Sequence, residues 1–168
     1  DALAPSIAEI QPPPLAVSAP AEARVAAAAF SHFKPNVRYF WDNDFFYVES
    51  EGIPGHNMMV GISAWQQQIP LPAPYFGSNA WRFPLRPVVA TSPYLVTPAT
   101  FTRGAIALAA NGVPIFNPYN NRGEPSALIG ELDQWGGHCG RADDYHYHVA
   151  PLHLTNVLGR SEEHTSEL

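Results

Sequence analysis

Charge is scarce in this chain of 168 residues. Only 14% are Asp, Glu, Lys or Arg, against the usual quarter of a globular protein, and a single lysine, Lys34, is present. With a formal charge of −6 there is no basic surface to neutralise a phosphate backbone, which excludes nucleic acid as a partner. One cysteine, Cys139, rules out an internal disulfide and leaves the redox compartment undecided. No apolar run reaches the length of a membrane-spanning helix, so no transmembrane segment is expected. After residue 30 no segment keeps helical periodicity for three turns. The 46% hydrophobic share nevertheless excludes a chain that stays unfolded along its whole length.

Proline and glycine are abundant, at 18 and 12 residues, and predict many turns. Residues 1–30 are dominated by alanine and proline and read as a leader or linker, in which AEARVAAAAF can form a short helix. At the other end RSEEHTSEL, Arg160–Leu168, matches the in-frame translation of a common sequencing adapter. It is expected to be a non-native tail, with the domain itself truncated at its C-terminal end. Residues 31–159 then form one mainly β domain, a sandwich or barrel-like arrangement with long Pro/Gly-rich loops. VRYFW and FFYVES predict strands around the turn DND, and AIALAANGVPIFNP predicts a hairpin about Asn111-Gly112. The stretch WQQQIPLPAPYFGSNAWRFPLRP is too rich in proline to predict regular structure, and its aromatic residues are expected to cover the core.

Four of the seven histidines fall within GGHCGRADDYHYHVAPLHL, residues 136–154. On a strand, His146 and His148 share one face, about 7 Å apart at Cα, and Tyr145 and Tyr147 share the other. Two such imidazoles can converge on one ion, and His138 can fold back to join them across CGRADD. Asp143 and Asp144 can orient an imidazole through its second nitrogen. Amphipathic rings packed in a small β core are the plainer alternative. His153, between apolar residues, is expected to be packed or at the surface. GISAW lacks the second glycine of a nucleophile elbow, and NNRGE reads as a solvated loop.

The chain resembles the bacterial YHYH-domain family. The elements that carry the resemblance are Gly52-Ile53-Pro54-Gly55-His56, Gly112-Val113-Pro114-Ile115-Phe116, Leu132-Asp133, Gly137-His138 and Tyr145 to His148. The likeness runs over about residues 52 to 151. It implies that His56 meets His138, His146 and His148 in space, and that the protein is exported, secreted or periplasmic. Trp135 and Gly136 stand where many members have Cys and Asn, so the resemblance assigns no role to Cys139.

Together these readings predict a β-rich domain that binds a transition metal, zinc or copper, through His56, His138, His146 and His148. Asp133 or Asp144 would orient the ligands. If one coordination position is open the domain is a metal-dependent hydrolase, with Glu131, Asp133 or Asp144 as base. Its substrate would be a small molecule or an extracellular polymer. The alternative is an extracellular carbohydrate-binding or adhesion module whose aromatic residues stack on sugars and whose histidines are structural.

Overall fold

A computed structural model describes residues 19–158. The first part of the expected leader and the expected tail, Arg160–Leu168, lie outside the described residues. Within them the chain forms helix α1 (Ala21–Phe30), strands β1 (Val37–Trp41), β2 (Phe45–Ser50), β3 (Trp81–Pro84), β4 (Ala107–Leu108), β5 (Pro114–Ile115), β6 (Gly137–Cys139) and β7 (Tyr145–Tyr147), and a closing turn of helix, α2 (Thr155–Leu158).

Within the expected leader, AEARVAAAAF forms the short helix that its alanines allow. Ala23, Ala27 and Phe30 recur at helical spacing and are buried against β1 and β2, where Phe30 stacks on Phe46 at 5.9 Å. β1 and β2 form the expected hairpin. Its turn is set by Asp42, whose Oδ1 accepts from the backbone of Asp44 and Phe45 at 2.8 and 2.7 Å. The proline-rich stretch does contain a strand. In β3, Trp81 and Phe83 alternate inward onto the first core and Pro84 ends the pairing with β2, a position that an edge strand tolerates.

The strand order is β1-β2-β3 in one sheet and β4-β5-β7-β6 in the other. Both sheets are open, so the barrel-like closure considered from the sequence is not formed: two short three- and four-stranded sheets cannot meet edge to edge around one axis. The Asn111-Gly112 hairpin joins β4 to β5. Only Gly112 of the pair takes a positive φ, 79°, and a Cβ there would stand 2.5 Å from that of Ser50. This close approach lets the Ser50 hydroxyl donate to the Gly112 carbonyl at 2.6 Å, tying the two sheets together.

The second sheet positions the histidines. β5 pairs with β7 in parallel, and β6 with β7 antiparallel, placing His138 opposite His146, Cys139 opposite Tyr145 and Gly137 opposite Tyr147. Because strand side chains alternate, Cys139, Tyr145 and Tyr147 go to one face and build a second core with Met59, Ala109, Val113 and Leu154. The histidines go to the other face.

Candidate metal centre

His138, His146 and His148 are 5%, 4% and 7% exposed, and their ligand atoms lie within 4.8 Å of one another. The Nε2 of His148 is 3.2 Å from that of His146 and 3.1 Å from that of His138. Each ring is held from behind by a backbone carbonyl. The Nδ1 of His138 faces the Glu131 carbonyl at 3.0 Å, that of His146 the Asp144 carbonyl at 3.1 Å, and that of His148 the Asn117 carbonyl.

A carbonyl oxygen can only accept, so all three Nδ1 atoms carry the proton. A neutral imidazole has no second one, and the three Nε2 atoms therefore direct lone pairs at each other. A hydrogen bond between them would require a cationic ring. Burial opposes this: it depresses His138 to about 3 and, together with its neighbours, His148 to about 4. Three bare Nε2 atoms thus converge where one metal ion could accept all three lone pairs at once. Tetrahedral zinc with Zn–N of about 2.0–2.1 Å places its nitrogens about 3.3 Å apart, close to the two separations found.

The same shifts fix the sign of an acid response in metal-free protein. The unfolded chain takes up protons at these histidines near pH 6.5, whereas folded His148 and His138 do so only near 4 and 3. Stability should therefore fall as pH drops from 6.5 through 4, read as a declining denaturant midpoint. A midpoint flat over that window would contradict the burial of neutral rings.

Aromatic residues wall the cluster. Phe116 stacks on His146 at 4.1 Å between ring centroids, and Trp65 packs on His138 at 5.0 Å. A cavity of about 160 Å³ is lined by the three histidines together with Asn120, Glu131 and Arg141 among others. Glu131 contributes twice. Its carbonyl orients His138, and its fully buried carboxylate accepts from Arg122 at 2.6 Å, from Asn120 at 3.1 and 3.3 Å and from Ser126 at 3.3 Å. Asp144 supports His146 chiefly through its carbonyl. Its carboxylate lies 3.6 Å from Nδ1, and nearness to that ring holds the acid below the usual carboxylate range.

Two expected members stand elsewhere. Asp133 is buried in the second core, where it accepts from the backbone of Met59, Trp135 and Gly137 and from the Tyr145 hydroxyl, on the tyrosine face. Four donors on one carboxylate suit an anchor, and its place on the tyrosine face keeps it from serving the cluster as a base. His56 also lies on the tyrosine face. Its Nε2 meets the Tyr147 hydroxyl at 2.9 Å and its ring stacks on Trp135, so the structure does not bring the four-histidine set together. Alternation along β7 is the reason: a residue that bonds Tyr147 is on the side opposite His146 and His148. His56→Gln should accordingly keep the metal stoichiometry of the parent while lowering its unfolding midpoint. Loss of the metal from folded His56→Gln would restore His56 to the ligands. The Cys139 thiol is likewise in the second core, where burial pushes it up to about 12, a protonated and inert group.

Phe116 closes the Gly-Val-Pro-Ile-Phe element of the resemblance, which gave it no place beside His146, and the carbonyl of Asn117 had no recognisable signature in the sequence. Asn117 is central, because its side-chain amide also donates to the carbonyls of Thr97 and Thr100, at 3.0 and 2.7 Å, holding the loop at the cavity mouth. The NNRGE loop is not merely solvated: its Asn120 and Arg122 clamp Glu131. Compared with known proteins, the chain matches no family model, no curated protein and no solved structure.

Proposed function

We propose that this protein binds one transition-metal ion, zinc or copper, through the Nε2 atoms of His138, His146 and His148. The convergence of three Nε2 atoms whose Nδ1 protons are all committed to carbonyls is the observation that carries the proposal. Three imidazoles leave a fourth position, and the adjoining cavity is where water or a substrate oxygen would enter. Zinc in such a site acidifies a bound water and polarises a carbonyl or phosphoryl oxygen. Of the three carboxylates considered as base, Glu131 alone combines a place in that cavity with burial. Its role would be to take the water's proton, which requires one of the four hydrogen bonds that it accepts from Asn120, Arg122 and Ser126 to open. A metal-dependent hydrolase acting on a small molecule or an extracellular polymer is thus the enzymatic form of the proposal. Membership of the YHYH-domain family and export from the cell belong to the same proposal and rest on the sequence resemblance.

In the carbohydrate-binding alternative, three of the rings that suggested it are already engaged. Tyr75 and Trp81 pack on each other at 4.8 Å, and Trp65 is occupied by His138. Elemental analysis of the purified chain is the direct test. The expected result is one zinc or copper per chain, with a chelator lowering the thermal midpoint. Negligible metal in folded protein after supplementation would sink the proposal.

A further inference from the structure

Most arginines of this chain are engaged. Arg38, Arg86 and Arg122 form salt bridges, Arg24 donates to the Ala19 carbonyl and Arg82 stands over the Phe45 ring. Among the described residues only Arg103 and Arg141 make no salt bridge, side-chain hydrogen bond or cation–π contact. Both belong to the cavity of the three histidines. Arg141 is one of its walls, and Arg103 stands between Thr102 and Gly104, which are two others.

The backbone fixes both positions. β6 turns into β7 through Gly140-Arg141-Ala142-Asp143, where the Gly140 N–H donates to the Asp144 carbonyl at 2.9 Å and the Asp143 N–H to that of Gly140 at 3.2 Å. The Gly140 carbonyl also accepts from Gln68 at 2.6 Å. A Cβ on Gly140 would lie 3.1 Å from the His146 Cε1, so Arg141 follows directly on backbone packed against a clustered ring. Arg103 follows the segment whose Thr97 and Thr100 carbonyls accept from the Asn117 amide, the residue whose own carbonyl orients His148.

Charge around the cavity is lopsided as a result. Glu131 is the only carboxylate among its walls, and Arg122 already answers it at 2.6 Å. Asp144 stands behind His146, and no ion pair joins it or Asp143 to either arginine among the described residues. Three neutral imidazoles leave a divalent ion its full charge. Ion and guanidiniums then share a cavity whose one carboxylate is committed, beside the apolar walls of Trp65, Phe101 and Phe116 that keep water from screening them.

We infer that the ligand of this metal cavity is a small oxyanion, a phosphate or carboxylate group with one oxygen at the metal's open position and its remaining charge met by Arg141, while Arg103 beside it adds attraction. The inference rests on the three-histidine metal site and narrows it, since a neutral sugar or amide would leave both guanidiniums unanswered. A planar fork of N–H donors suits either oxyanion.

The test uses the full chain loaded with cobalt(II), whose visible bands report a change of ligand at the ion. It is titrated with inorganic phosphate, with acetate and with imidazole, a neutral donor for the same position. Phosphate is expected to shift the bands saturably. Arg141→Gln should weaken phosphate about tenfold, as loss of a charge-assisted hydrogen bond does. Arg103→Gln should weaken it about threefold, the worth of an exposed charge, and neither change should alter the imidazole titration. Arg141→Lys, which keeps the charge without the fork, should fall between parent and Arg141→Gln. The larger of the two losses in Arg141→Gln, for phosphate or for acetate, identifies the group that the site takes. Unchanged affinity for both oxyanions in Arg141→Gln, or oxyanions and imidazole weakened alike, would overturn the inference and leave the metal site standing. Absence of cobalt bands from folded protein would overturn both.

Discussion

His148→Ala is expected to weaken metal binding by on the order of a hundred- to a thousand-fold, a per-ligand share of the ten or more kcal/mol that structural zinc sites supply. His148 is the central member, since its Nε2 approaches both of the others, at 3.2 and 3.1 Å. Its ring is also the one oriented by the Asn117 carbonyl, so the truncation removes a ligand and unties the strand from the loop at the cavity mouth. Competition against a chromophoric chelator would measure the loss. His153→Ala, on the far face, is the control and should stay within a few-fold of the parent. Parent-like affinity in folded His148→Ala would remove this residue from the ligands and reduce the cluster to packing.

The second large effect is on stability. Glu131→Ala strips the partner from Arg122, Asn120 and Ser126 at once, around a carboxylate that is fully buried. Breaking a buried, hydrogen-bonded ion pair costs about 3 kcal/mol or more, discounted here because Arg122 is half exposed. For a chain of this size that is a fall of roughly 10 °C in thermal midpoint. His138 is held by the Glu131 carbonyl rather than the carboxylate, so metal stoichiometry should survive in Glu131→Ala at low temperature. Glu131→Gln then separates anchor from base. It keeps the shape and part of the hydrogen bonding, and a folded, metal-loaded variant with full hydrolytic activity would leave the carboxylate only its structural role.

Much of the centre was legible before the structure because strand alternation is a local rule. YHYH states which two imidazoles share a face, and the short glycine-containing CGRADD segment allows the return that sets His138 opposite His146. What alternation could not say is which face a distant residue joins. His56 belongs to the same motif set as the clustered histidines, yet a shared motif carries no direction, and the bond to Tyr147 places it behind the sheet. The same gap hid Asp133, whose backbone donors belong to turns with no side-chain signature. The hairpins at Asp42 and Gly112 were readable from turn chemistry. Helix α1 was readable only as a possibility, since its place in the core depends on Phe30 meeting Phe46 across the first sheet. The strand at Trp81–Pro84 was masked by proline, which counts against a strand in general but not at its last residue on an edge.

The parallel pairing of β5 with β7 has a bearing on the order of assembly. All three clustered histidines lie within eleven residues of β6, β7 and their turn, a hairpin whose closure needs little loop entropy. The carbonyl that aligns the last of them comes from Asn117, across a crossover that closes late because its contacts are distant in sequence. A nascent chain would therefore own a loose, early site, able to capture an ion while the rest of the domain is still forming. Seating of the crossover would then convert this provisional grip into a slow-release one. Release would follow the opening of that connection, and would lag behind any chelator in solution.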